Sequence, residues 1–262
     1  MSPVSGRLLR LVPLAILVIA STIVRATSGA SPSRLVPERA FAAPGRAHWL
    51  GCGEGGIDLA TFLAHAELGS LALAGVVSVL ALVVGAPLGA GAALARGLPE
   101  RVIGRACDLL QAFPSFLLAV TVLSTVRAPT RVHLGVVFML TAWVPFARLA
   151  LAETRVLRGA AFIEAAKALG LGPPAILFRH VLPHVARVSA VQLGASGAAL
   201  VVGEAALAFV GFGTGDGVSV GALLDMGVLS MLRAPHVLAI ASVSVFVTSV
   251  SLMTAGRALS RD

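Results

Sequence analysis

Charge is scarce in this 262-residue chain, where Asp, Glu, Lys and Arg together make up only 12%. That excludes a disordered chain held open by its own charge, and it excludes a soluble enzyme with a solvated surface. Lysine is nearly missing, because Lys167 stands alone against 19 arginines. A P-loop needs Gly-Lys followed by Ser or Thr to cradle phosphates. Lys167 lies between Ala166 and Ala168, so the chain has no ATP site of that kind. Cysteine is limited to Cys52 and Cys107, whose separation has no ligand-like spacing. No disulfide or zinc site is expected between them.

What is abundant is apolar. Hydrophobic residues make up 57%, glycine lifts that share to about 68%, and mean hydropathy is +0.95. Several uncharged stretches reach the ~20 residues that cross a bilayer core, so the chain reads as an integral membrane protein whose immediate surroundings are lipid. The net charge of +8 does not point to nucleic acid, because the basic residues flank apolar segments instead of forming a patch.

Six apolar runs are read as helices, since the alternation of a barrel is missing. They cover residues 11–24, 69–95, 109–126, 134–147 with a continuation to 152, 188–212 and 237–256. With the N-terminus inside, the inner segments hold 13 basic residues and the outer ones 7, most of the latter in one long loop. The positive-inside rule therefore places both termini in the cytoplasm. The small residues after Arg25 also allow a cleaved signal peptide, which would leave five spans. The chain divides into a first helix at 1–27, an external Pro- and Gly-rich connector at 28–67, and a five-helix core at 68–262.

Between the fourth and fifth spans, residues 153–185 are amphipathic where their neighbours are uniformly apolar. Phe162, Ala165, Ala166 and Leu169 form one helical stripe. Glu164 and Lys167 are spaced to pair at i, i+3 on another face. Gly170 stands where a left-handed residue would end the helix, and Pro173-Pro174 can open a second one. Two short cytoplasmic helices with a sharp turn are predicted. Such a segment could lie on the membrane surface. Its alanines bury little area, however, and a small-residue face suits close approach by a protein groove.

Glu164-Ala165-Ala166, then Gly170, then Leu182-Pro183 resemble the EAA loop of permease subunits from bacterial ATP-binding-cassette importers. His180 replaces the isoleucine usual in that motif. Residues 111–115, 178–184 and 204–211 are similar to phrases of the dipeptide, oligopeptide and nickel branch, and the similarity runs from about His48 to the C-terminus. The resemblance implies an all-α membrane protein of type I importer architecture, with six transmembrane helices and a cytoplasmic coupling loop between the fourth and fifth. It implies a bacterial inner-membrane subunit that pairs with a second permease, two cytoplasmic ATPases and an external solute-binding protein. The cargo implied is a peptide-like solute, or nickel or a related small solute. Carried over residue by residue, the ATPase-docking set is Glu164, Ala165, Ala166, Gly170, Leu182 and Pro183. Two phrases depart from the family. Its Gly-Thr-Asp-x-x-Gly-Arg-Asp becomes residues 51–58 here, with Cys52 at the threonine position, and residues 213–220 replace a Pro-rich, Trp-containing loop.

Glu204 is read as the one acidic residue deep in a span, with a structural or gating role favoured over substrate contact. Pro114 and Pro145 should kink their spans, and a kink can shape a path. Gly85 and Gly89 form a small-xxx-small packing face. His180 and His184 have the spacing of a two-His metal face, yet no third ligand lies near, so no metal, cofactor or catalytic residue is expected. The rival function is an autonomous channel or secondary transporter. That class would carry several intramembrane polar groups or paired broken helices.

Overall fold

The computed structural model describes residues 3–29, 31–213 and 217–260. Among them the fold is all-α, with no strand and one isolated bridge between Cys52 and Asp58. The helices are α1 (Pro3–Ser28), α2 (Leu59–Ala95), α3 (Gly97–Ala112), α4 (Ser115–Leu123), α5 (Arg131–Leu157), α6 (Ala161–Ala168), α7 (Pro173–Ile176), α8 (Leu182–Leu207), α9 (Val220–Leu229) and α10 (Pro235–Leu259). Five helical stretches are long and apolar enough to cross a bilayer, and the α3–α4 pair makes a sixth if it counts as one span. The chain is thus a multi-pass membrane protein.

The boundaries differ from those read in the sequence for identifiable reasons. α2 starts at Leu59 because Asp58 caps it, its Oδ1 accepting from the Thr61 N–H at 2.9 Å. The last part of the expected 28–67 connector is therefore helical, and Glu67 lies inside α2. The expected third span at 109–126 is a bent pair, with α3 and α4 meeting at 75°. Pro114 removes a backbone donor and holds Phe113 extended at ψ 131, which ends α3. Pro145, by contrast, sits within the continuous helix α5.

α7 is not an isolated short helix, because a π turn at Leu177–Val181 carries it directly into α8. A second π turn, Ala208–Phe212, ends that long helix. Residues 214–216 of the substituted loop lie outside the described residues, as does Arg261 from the basic count. α9, which the sequence reading missed, follows that loop. The Ser219 hydroxyl caps it by accepting from the Ala222 N–H at 3.1 Å.

Close backbone contact holds the bundle. A Cβ on Gly85 would strike the Trp143 carbonyl, and one on Gly89 would strike Ala147, so α2 and α5 pack at a separation only glycine permits. Ile57, Leu59, Phe62, Leu223 and Val237 form a core at the Leu59 end of α2. Ala86, Ala90, Leu157, Ile163, Ala166, Ile176 and Val185 form another toward the opposite end. Cys52 and Cys107 are free, buried thiols, and Cys107 packs against Val144 and Ala147.

Candidate functional site

The segment after α5 is a short helix, α6, closed at its C-terminal end by a tight turn. Gly170 adopts φ +83. Its N–H donates to the Lys167 carbonyl at 2.9 Å, and the Leu171 N–H reaches back to the Ala166 carbonyl at 3.1 Å. These two bonds are a Schellman closure, and they satisfy carbonyls that the end of α6 would otherwise leave open.

The predicted stripe divides between two environments. Ile163 and Ala166 are buried against Leu157, Ile176, Val181 and Val185, so Ala166 anchors α6 to its own chain. Phe162, Glu164, Ala165, Leu169 and Gly170 are exposed, with Leu169 at 81%. Pro183 is exposed and Leu182 half-buried at the start of α8. Glu164 and Lys167 both face outward, and among the described residues no ion pair joins them. His180 and His184 are engaged separately: the His180 ring centroid lies 6.5 Å from that of Phe162, and His184 Nε2 lies 3.7 Å from Glu153 Oε2. The π turn between Leu177 and Val181 alters the helical spacing on which a two-His face depends.

Glu100 at the start of α3 fixes the base of this turn. Its Oε1 accepts from Arg155 Nε at 2.6 Å and its Oε2 from Arg158 Nη1 at 3.3 Å. Arg158 Nη1 also donates to the Ala93 carbonyl at 3.2 Å. The ends of α2, α3 and α5 are therefore tied together where the chain enters α6. Arg148 and Asp108 form a further ion pair between α5 and α3.

Above the turn, the bent α3–α4 pair, α5 and α8 enclose a cavity of about 310 Å³. Gln111, Ser115, Thr141 and Ser196 bring polar atoms to a wall otherwise made of groups such as Phe116 and Leu200. Pro114 positions this wall without lining it. Glu204 is 3% exposed, and its neighbour Gly203 lines the cavity while Glu204 does not. α9 packs onto the Glu204 turn, since a Cβ on Gly221 would strike the Ala205 carbonyl.

A second buried acid was missed by the sequence reading. Glu67 is 7% exposed and accepts from Ser21 Oγ at 2.9 Å and Ser244 Oγ at 2.7 Å, joining α1, α2 and α10. Assigning it to a polar connector hid it. The sequence did carry a signal, because the apolar run 59–64 just before it already has the look of a helix start behind Asp58.

A multi-span helical chain with a glycine-closed turn at one end of its bundle and a largely apolar cavity bearing a few polar groups has the build of a membrane permease. The chain belongs to the family of binding-protein-dependent transport system inner membrane components, which matches residues 85–257. It is similar to a glutathione transport system permease protein of Pectobacterium atrosepticum, 33% identical over 222 residues that cover 82% of this chain and 72% of the relative. An oligopeptide transport system permease protein of Mycobacterium bovis is 31% identical over 74% of this chain and 67% of its own length. A putative peptide transport system permease protein of Brucella suis is 32% identical over 78% and 68%.

Proposed function

We propose that this chain forms half of the translocation path of an ATP-driven importer for peptide-like solutes, and that it couples to a separate ATPase through α6. The observation that carries this reading is the Schellman-closed turn, which holds Glu164, Ala165 and Gly170 outward on a helix anchored from behind by Ile163 and Ala166. Alanine and glycine at the crest let a partner's groove approach the backbone closely. The peptide and glutathione systems named for the relatives support the cargo class.

In this reading α6 and both termini face the cytoplasm, in keeping with the distribution of arginines. ATP hydrolysis belongs to the partner chain. A second permease completes the path, and an external binding protein delivers solute to the opposite end. The cavity walled by Gln111, Ser115, Thr141 and Ser196 is this chain's share of the path. Glu204, behind that wall, supports the turn on which α9 rests and does not touch solute.

The test is co-expression with the candidate ATPase, followed by co-purification and solute uptake. Ala165→Arg should abolish both while membrane levels of the chain stay unchanged. Undiminished ATPase capture, or uptake by the chain without any ATPase, would overturn the reading in favour of an autonomous transporter.

A further inference from the structure

The segment before α2 brings three different metal-ligating side chains together. His48 Nδ1 lies 2.7 Å from Asp58 Oδ2, and the ligand atoms of His48, Cys52 and Asp58 all fall within 4.8 Å of one another. The backbone holds this arrangement in place. Cys52 and Asp58 form an antiparallel bridge, the Cys52 N–H donates to the Ala42 carbonyl at 2.9 Å, and the Leu59 N–H donates to the Gly51 carbonyl at 3.1 Å. Asp58 is further fixed as the cap of α2 through Oδ1, which leaves Oδ2 for the cluster.

We propose that His48, Cys52 and Asp58 form a zinc-binding site at the head of α2. Imidazole nitrogen, thiolate sulfur and carboxylate oxygen are the donor types zinc takes. A tetrahedral zinc site with ordinary bond lengths has ligand-to-ligand edges of roughly 3.3 to 3.7 Å, which side-chain adjustment alone reaches from the observed spacing. Cys52 is fully buried and supplies the inner ligand, while the His48 and Asp58 side chains are 20% and 32% exposed. Those two line a cavity of about 370 Å³, so the fourth coordination position opens toward water or an incoming ligand there.

The Cys52 thiol adds the donor that turns a helix cap with its histidine into a three-ligand cluster. Burial pushes the Cys52 thiol up, and the Asp58 charge adds to this while Arg39 offsets it. Zinc displaces a coordinating thiol's proton outright. Arg39 Nη1 lies 3.3 Å from His48 Nε2. With zinc on Nδ1 the imidazole proton resides on Nε2, so the exposed Arg39 side chain turns away to solvent.

The experiment uses the full chain, purified in detergent with its affinity tag removed. Zinc content is measured directly, and a cobalt(II) titration is followed by absorbance. One equivalent of either metal should bind, and the cobalt form should show thiolate-to-metal charge transfer. Cys52→Thr should abolish that absorption and weaken binding at least tenfold, His48→Gln should weaken it comparably, and Cys107→Ser should leave both unchanged. Unchanged elution and metal-free melting of Cys52→Thr will show that the fold is intact. Cobalt binding without charge transfer, zinc retained in Cys52→Thr, or no stoichiometric metal at all would overturn the proposal.

Discussion

Ser21 and Glu67, 46 residues apart, meet inside the helix bundle, where the serine hydroxyl donates to one carboxyl oxygen at 2.9 Å. Ser244 of α10 donates to the other at 2.7 Å. Among the described side chains of α1 most are otherwise exposed, so this node is a polar tie that locates the helix against the core. In lipid such a bond between helices contributes about 1 kcal/mol.

Ser21→Ala should therefore lower stability by about 1 kcal/mol, and Glu67→Ala, which removes both bonds, by about 2 kcal/mol. Thermal unfolding in detergent measures each loss. The double variant should lose less than the sum of the two, because the same bond is removed twice. Strict additivity would show that the two side chains do not interact.

Gly170 tests the turn by backbone conformation alone. Nothing lies within 4 Å of a Cβ placed there, so the cost of substitution is the positive φ and not a clash. That cost is about 1–2 kcal/mol for an ordinary L-residue, and less for Asn. Gly170→Val should reduce ATP-coupled uptake at least tenfold without lowering membrane levels. Gly170→Asn should retain most of it. Gly170→Asp should fall nearer to Val, because its carboxylate opposes the negative end of α6. Equal uptake by all three variants would remove the turn from the coupling argument.

Glu100 holds Arg155 and Arg158 at the base of the same turn. Glu100→Lys replaces that attraction with repulsion, so the chain from α5 into α6 should loosen. Hydrogen exchange across residues 159–171 should speed up, and more so at low salt, where the repulsion is least screened. Exchange confined to its wild-type rate would show that the apolar anchor of Ile163 and Ala166 suffices without the ion pairs.

Composition was enough to read the membrane class, because a bilayer leaves the backbone few alternatives to helix. The small-residue face of Gly85 and Gly89 and the stop at Gly170 were also legible, each resting on one local steric rule. Helix ends in polar sequence were not. Glu67 looked like connector because its partners, Ser21 and Ser244, lie far away in the chain, and an apolar-run criterion discards a helix turn that carries polar residues such as Glu67 and His65. The orientation of Ala166 was hidden for a related reason. A helical stripe identifies a face, but the element packed behind it, here Ile176 and Val185, decides which edge of that face is buried.

Gly89 and Gly75 provide a matched pair in α2. A Cβ on Gly89 would strike Ala147 of α5, whereas one on Gly75 meets nothing within 4 Å. Gly89→Ala should cost about 1–3 kcal/mol by overpacking. Gly75→Ala should be neutral or slightly stabilising through helix propensity. Melting temperatures of the two variants in the same detergent decide the matter, and a neutral Gly89→Ala would mean that α2 and α5 can part without penalty.

Pro114 tests whether the bent pair shapes the path. The bend has two local causes, the missing Pro114 N–H and the extended Phe113 that a following proline enforces. Pro114→Ala removes both, and the helical segments on each side then favour one continuous helix from α3 into α4. Because Phe113 and Ser115 line the 310 Å³ cavity, straightening would carry them away from Thr141 and Ser196. Spin labels at Gly104 and Val122 should move farther apart in the variant. Uptake should fall, while ATPase capture through α6 should persist, since the turn is anchored by α5 and α8 and not by α4. Loss of capture together with uptake would instead tie the bend to the coupling turn.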